Sequence, residues 1–199
     1  MPFTAEAIMK QVKQRVAILV GNRGRGSNME ALVLAMQSGR VPAIPAVVLA
    51  SDPDSPALAR ARALGVPIQI FGREGCPSLG AALEGIQLLC LAGYIKLLPP
   101  EIIQMLNGQV LNIHPALLPK YGGKGMYGRN VHKAVLDAGD SESGCSVHWV
   151  TNNYDEGAVI LQRRCPVLPD DTPESLAARV LQLEHEAYPT ALAQVLGED

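Results

Sequence analysis

The sequence lacks the long runs that mark membrane, secreted or nucleic-acid-binding proteins. No stretch approaches the roughly 20 apolar residues that a membrane-spanning helix needs. Residues 1–14 include Glu6, Lys10 and Lys13 and have no apolar run of signal-peptide length. Lysines and arginines are scattered, and Arg163-Arg164 is their longest run. We therefore expect no membrane and no nucleic acid as partner, since a nucleic acid usually requires a basic face.

Cysteines are few and lack the spacing of a metal site. The four are Cys76, Cys90, Cys145 and Cys165. They form no C-x-x-C pair and have no histidine at metal-ligand spacing. We therefore expect reduced structural thiols, no bound metal and a cytoplasmic location. The formal net charge of −2 still allows a small anionic substrate, because a local site can bind one at any net charge.

What is present is the composition of one folded domain. Hydrophobic residues make up 48% of the 199 residues and charged residues 18%, a balance that argues against disorder. This length suits one domain with a substantial core. Because no repeat or low-complexity linker interrupts the chain, we expect an N-terminal extension over residues 1–14 and one domain over residues 15–197.

Short apolar runs alternate with helical patterns. The predicted strands are 16–20, 44–50, 67–71, 87–92, 109–113, 144–151 and 158–167. The predicted helices are 27–39, 56–64, 100–106, about 131–138 and 173 to about 196. This alternation predicts an α/β fold with a single-domain, mostly parallel twisted sheet flanked by helices.

Helix-end signals support these bounds. Ser27 and Glu30 match the S-x-x-E capping box, and Gly39 stands where a C-terminal glycine belongs. Thr172-Pro173 fits an N-cap followed by a first-turn proline.

The stretch 109–121 is the most informative. It opens as a buried strand, and alternation should project Asn112 and His114 to one side before Pro115 ends the ladder. An amide donor beside a group that titrates near neutrality suits chemistry on a carbonyl. The alternative is a strand end whose polar side chains only cap a turn, and N-x-H spacing alone does not decide between them.

The turn 24–28 follows the first strand and opens the first helix. Its glycines let an anion approach the backbone, and first-turn N–H groups favour a phosphate. A tight turn that binds nothing is the alternative. A dinucleotide fingerprint would need glycine at Met29, although Asp52 at the end of the second strand keeps a nicotinamide cofactor open.

Several motifs, in order over about residues 16–189, resemble the folate-dependent formyltransferases. They are Gly26-Ser27-Asn28, Leu91-Ala92-Gly93-Tyr94, Asn112-Ile113-His114-Pro115, Leu117-Leu118-Pro119-Lys120-Tyr121, Ser146-Val147-His148, Asp155-Glu156-Gly157 and Glu184-His185. The similarity is greatest to the branch that formylates glycinamide ribonucleotide. It implies a Rossmann-like formyltransferase fold and transfer of the formyl group of the co-substrate 10-formyltetrahydrofolate to the amine of glycinamide ribonucleotide, in de novo purine biosynthesis.

The resemblance also implies a role for each matched residue. The catalytic set is Asn112, His114 and Asp155. The ribonucleotide's phosphate and sugar are assigned to Gly26, Ser27, Asn28 and Glu184. The folate is assigned to Ile95, Lys96, Leu97, Leu98 and Asn112. Supporting positions next to the catalytic set are Ser146 and His148, whereas His132 and His185 have weaker claims.

These roles suit formyl transfer, in which an amine attacks the formyl carbon and negative charge develops on oxygen. Asn112 and His114 would stabilise that oxygen as donors. Asp155 would favour the protonated imidazole and accept the amine's proton. The alternative for Asp155 is an ordinary turn residue before a glycine.

Some segments depart from the family pattern. The chain is shorter between Gly65 and Leu91, where relatives have a helix with a folate-binding arginine, and Arg73 is the candidate substitute. The turn near Arg25 is longer, which leaves the role of that arginine open. The loop 122–128 is longer and glycine-rich, and Lys124 or Arg129 could reach an anion there.

Four other functions remain open. A formyltransferase acting on initiator methionyl-tRNA would carry a basic carboxyl-terminal domain. A 10-formyltetrahydrofolate hydrolase would carry an amino-terminal regulatory domain. We expect neither of these domains in this chain, which makes both functions less favoured. A formyltransferase acting on another amine and a non-catalytic nucleotide-binding module are the other two.

Overall fold

The computed structural model describes residues 13–197, so residues 1–12 of the predicted N-terminal extension lie outside it. The strands are β1 (Gln14–Val20), β2 (Ala43–Ala50), β3 (Ile68–Ile70), β4 (Leu88–Ala92), β5 (Val110–His114), β6 (Glu142–Trp149) and β7 (Val159–Pro166). The helices are α1 (Ser27–Gln37), α2 (Pro56–Ala63), α3 (Leu79–Ala82), α4 (Pro100–Met105), α5 (Arg129–Asp137) and α6 (Pro173–Val195).

All strands join one sheet in the order β3-β2-β1-β4-β5-β6-β7. The pairings from β3 through β5 are parallel, and β6 and β7 are added antiparallel. The predicted mostly parallel α/β sheet is therefore confirmed. The chain order reverses between β1 and β4, and ligands of open α/β sheets usually bind beyond the carboxyl ends of strands at such a point.

Helices cover both faces of the sheet, which explains why the strands read as unbroken apolar runs. Ile18 of β1 belongs to the core cluster that contains Met29 of α1 and Val180 of α6. The next residue, Leu19, belongs to the cluster on the other face with Ile102 of α4. Each fully buried side chain of this kind contributes roughly 1.5–3 kcal/mol of burial free energy. Among the described residues, no helix is long and apolar enough to cross a membrane.

The predicted capping box at the start of α1 is wrong. Gly26 is the N-cap, with φ of 77°, and Ser27 is already helical and makes no capping hydrogen bond. Glu30 instead pairs with Arg60 of α2. A Cβ atom at position 26 would lie 2.7 Å from the Cβ of Ala57, so glycine is required both by φ and by the close approach of α2.

The signals at the other helix ends are confirmed. Gly39 follows α1 with φ of 81°, and its N–H donates to the Met36 carbonyl at 3.2 Å. The Thr172 side chain caps α6 by accepting from the Ser175 N–H at 3.2 Å, and the Ser175 hydroxyl accepts from the Thr172 N–H at 2.9 Å. Pro173 stands in the first turn, where its missing N–H costs nothing.

Candidate active site

A cavity of about 910 Å³ lies beyond the carboxyl ends of β4 and β5. The first turn of α1 reaches it through Asn28. Its other walls are the segment after β4, the end of β5, the glycine-rich loop before α5, the segment after β6, and α6. It therefore occupies the place that the strand order favours for a ligand.

The predicted catalytic residues all line this cavity. Asn112 and His114 project to the same side of β5, as alternation predicts, and both line the cavity with Asp155. His114 Nδ1 lies 3.5 Å from Asp155 Oδ2, and His148 Nε2 lies 3.6 Å from Asp155 Oδ1. Both separations are longer than a direct hydrogen bond, so a water or a substrate group can bridge them.

Asp155 is held by a tight turn and by the loop 122–128. Its φ of 56° is left-handed, a conformation that Asp tolerates better than most residues. A Cβ atom at Gly157 would lie 1.7 Å from the Trp149 carbonyl oxygen, so this turn requires its glycine. The Gly123 N–H donates to Asp155 Oδ2 at 2.9 Å.

The carboxyl group of Asp155 is ionised at neutral pH. Burial raises its pKa, but the neighbouring His148 and His114 rings and the Gly123 N–H outweigh burial and hold the pKa below its usual value. A charged acceptor therefore stands between the two imidazoles.

His114 is fixed by a backbone carbonyl that the sequence did not point to. Its Nε2 donates to the Tyr121 carbonyl oxygen at 2.8 Å, which places a proton on Nε2. Burial lowers the pKa of His114, and Asp155 and the Tyr121 carbonyl raise it by less. Asp155 thus favours the protonated form of the ring, as expected from the sequence. The effect of burial on the pKa is larger than that of Asp155, so the ring is neutral at neutral pH.

His148 orients the amide of Asn112. The two residues face each other across the β5–β6 ladder, and Asn112 Nδ2 donates to His148 Nε2 at 3.1 Å. His148 Nδ1 donates to the Trp149 carbonyl at 2.9 Å, so its proton stands on Nδ1 and Nε2 is free to accept.

Ser146 faces His114 across the ladder but does not line the cavity. Its hydroxyl donates to the Ala116 carbonyl at 2.6 Å and accepts from the Leu118 N–H at 3.0 Å. The Gln162 side chain on β7 donates to the same oxygen at 2.9 Å. Ser146 therefore fixes the chain just after His114. No sequence motif marked Gln162.

Only part of the predicted ribonucleotide site lines the cavity. Asn28 and Glu184 do, whereas Gly26 and Ser27 do not. Asn28 Nδ2 donates to Glu184 Oε2 at 2.5 Å. This hydrogen bond lowers the pKa of Glu184, but burial has the larger effect and raises the pKa to about 7. Asn28 Oδ1 is buried without a partner among the described residues.

The predicted folate segment, residues 95–98, lines the cavity throughout. Ile95 and Leu97 are 53% and 43% exposed, and exposed apolar side chains at a cavity mouth suit an apolar ligand. Leu98 instead packs into the core cluster of α4. Neither Arg73 nor Arg25 contributes to the wall.

The loop 122–128 and α5 close the remaining side. Lys124 and Tyr127 line the cavity, and Arg129 pairs with Glu174 of α6 at 2.5 Å. His132 of α5 lines it too and is buried. From the sequence His132 has only a weaker claim, because a lone histidine within a helical pattern carries no motif. In residues 13–197, no cluster of His, Cys, Asp or Glu has the geometry of a metal site.

Comparison with known proteins connects this geometry to one family. Residues 14–192 match the family described as formyl transferase. The chain is 35% identical over 188 residues to phosphoribosylglycinamide formyltransferase of Haemophilus influenzae, covering 90% of this chain and 85% of that protein. It is 36% identical over 196 residues to the chloroplastic phosphoribosylglycinamide formyltransferase of Arabidopsis thaliana, covering 94% of this chain and 66% of that protein.

Solved structures are also similar. Phosphoribosylglycinamide formyltransferase from Brucella melitensis is 40% identical with a TM-score of 0.83, and the match covers 94% of this chain and 98% of that one. A formyltetrahydrofolate deformylase from Pseudomonas syringae has a TM-score of 0.80 at 19% identity, over 94% of this chain and 62% of that one. The second likeness shows a shared fold alone.

Proposed function

The chain belongs to the formyl transferase family, and on that premise we propose that it transfers the formyl group of 10-formyltetrahydrofolate to the amine of glycinamide ribonucleotide. The products are formylglycinamide ribonucleotide and tetrahydrofolate, within de novo purine biosynthesis. The observation that carries this proposal is that Asn112, His114 and Asp155 line one cavity. We call the part of its wall at Asn28 and Glu184 the polar end and the part at Ile95 and Leu97 the mouth.

The two ends of the cavity suit the two substrates. At the polar end, Asn28 and Glu184 form a buried pair that can accept from sugar hydroxyls, and the first turn of α1 favours a phosphate. At the mouth, Ile95 and Leu97 offer exposed apolar surface for the flat ring of the folate co-substrate, and the cationic Lys96 between them would attract its glutamate tail. The catalytic residues line the same cavity, and the formyl group would meet the amine beside them.

Asn112 and His114 would stabilise the oxygen on which negative charge develops as the carbon–nitrogen bond forms. Asn112 has one hydrogen of its amide on His148 and the other free to donate. Negative charge beside the neutral ring raises the pKa of His114, so Nδ1 would share the proton that Asp155 takes from the amine until that proton leaves with the folate nitrogen. Removing one such donor typically costs about 2.7–4 kcal/mol of transition-state stabilisation.

Asp155 would take the proton that the attacking amine loses. Its carboxylate is ionised in the free protein and lies 3.5 Å from His114 Nδ1, so a water or the amine lying beside the two atoms would hydrogen-bond to both. The proton then passes to the departing folate nitrogen when its bond to the formyl carbon breaks. No step requires a metal or a nucleoside triphosphate.

The test is product formation by the purified protein from both substrates, with a chelator present and no nucleoside triphosphate. We expect formylglycinamide ribonucleotide, at a rate that the chelator does not change. Release of tetrahydrofolate at the same rate without ribonucleotide would instead show the alternative activity, hydrolysis of 10-formyltetrahydrofolate. Formylation of a different amine only would contradict the proposed substrate.

We also propose that the protein works in the cytoplasm on these small molecules. All four cysteines are free thiols, as in a reducing compartment. Fractionation of the native cells with an antibody against the chain tests the location, and recovery in a membrane or organelle fraction would contradict it.

A further inference from the structure

α5 carries a histidine that the proposed mechanism does not use. His132 lines the cavity, is only 4% exposed, and its Nδ1 has no hydrogen-bond partner among the described residues. His114 and His148 differ, because a backbone carbonyl anchors each ring. A buried polar atom left unpaired costs about 1–3 kcal/mol, and no hydrogen bond from residues 13–197 to Nδ1 offsets the burial of this ring.

α5 packs on α6, the helix that carries Glu184 of the polar end. Val135 of α5 lies in the same core cluster as Met29 of α1 and Val180 of α6. The folate segment leads instead into α4, whose Ile102 lies in the cluster on the opposite face. His132 therefore faces the cavity from the side on which we place the ribonucleotide.

His132 also lies near the reacting centre. Burial lowers its pKa, and the positive charge that His114 can carry lowers it further. The other titratable or charged groups that line the cavity from the neighbouring segments are Lys124 and Tyr127 in the loop before α5, Arg129 on α5 itself, His148, Asp155, and Glu174 and Glu184 on α6. A neutral imidazole offers one donor and one acceptor, which suits an amide or an uncharged amine.

We propose that His132 binds the glycinamide group of the ribonucleotide through a ring nitrogen and holds the attacking amine beside His114. The inference rests on the proposed function, because it assigns the ligand of the same cavity. The ribonucleotide would then be bound by His132 of α5 as well as by Asn28 of α1 and Glu184 of α6.

The first test is steady-state kinetics of His132→Leu, His132→Asn and His132→Gln. Leu removes both ring nitrogens, whereas the Asn and Gln amides approximate Nδ1 and Nε2. His185→Leu is the matched control, because Nε2 of His185 is also buried without a partner but the residue does not line the cavity. We expect His132→Leu to lower kcat/KM for the ribonucleotide about tenfold and to leave the KM for folate within about twofold.

One of the two amide variants should recover part of this loss, and His185→Leu should match the wild type. Wild-type kinetics in His132→Leu would overturn the proposal. An equal loss of affinity for both substrates would also overturn it, since a contact with the ribonucleotide alone would not weaken folate binding.

The second test needs only binding. The ring ¹⁵N resonances of His132, assigned by their loss in His132→Gln, should shift when glycinamide ribonucleotide is added and stay in place when tetrahydrofolate is added. Unchanged resonances in ribonucleotide-saturated protein overturn the inference even if turnover is normal. A clear shift without turnover supports the inference while the proposed function fails, so the two failures are distinguishable.

Discussion

The buried carboxyl group of Glu184 should make the protein less stable as pH rises. Burial raises the pKa of Glu184 from 4.5 to about 7, so the folded protein binds a proton more tightly than the unfolded chain does. A shift of this size corresponds to roughly 3 kcal/mol. The contribution of Glu184 to stability is greatest below its unfolded pKa and is lost as pH rises through its folded pKa, because the charged form must then be buried.

The change to make is Glu184→Gln, which keeps an oxygen for Asn28 and removes the charge. Urea denaturation of both proteins near pH 5 and near pH 8 measures the effect. The two should be similar near pH 5, and the variant should be more stable near pH 8 by up to roughly 3 kcal/mol. Glu174→Gln on the same helix is the control, and it should keep the wild-type fall because the Glu174 side chain is 64% exposed. An identical pH dependence in wild type and Glu184→Gln would refute the reasoning.

The remaining predictions concern glycine and serine positions with matched controls. Gly26→Ala should destabilise the protein more than Gly39→Ala in urea denaturation. Both glycines have positive φ, so each substitution should lower the free energy of unfolding by about 1–2 kcal/mol. Only at position 26 would the new Cβ atom also clash with Ala57. Equal losses would contradict the close approach of α2. Ser146→Ala should cost about 1–3 kcal/mol and lower kcat, whereas Ser143→Ala on the same strand should be close to neutral because its buried hydroxyl has no partner among the described residues. A neutral Ser146→Ala would show that these hydrogen bonds do not hold the chain after His114.

The sequence predicted what depends on local pattern. Strands buried on both faces read as apolar runs, and every predicted bound of a strand or helix lies within about two residues of the observed one. The period of two along β5 was enough to place Asn112 and His114 on one side of the sheet.

Packing between distant segments was harder to predict. In the sequence, the S-x-x-E pattern at Ser27 is as good a capping signal as Thr172. Only Thr172 caps its helix, whereas the N-cap of α1 is Gly26. The close approach of α2 requires glycine at position 26. The neutral state of His114 follows from burial, which sequence does not report. The backbone groups of Tyr121 and Gly123 that hold the site carry no side-chain signal at all.

The central claim is that His114 and Asp155 act together on one formyl transfer. Its most direct test is kcat for His114→Ala, Asp155→Ala and the double variant, with folding of each confirmed first by thermal denaturation. Each single change should lower kcat by roughly 10²–10⁴, and the double variant should be little slower than the worse single one, because both residues serve the same proton transfer and charge stabilisation. Wild-type rates in either single variant, or losses that multiply in full, would contradict the account.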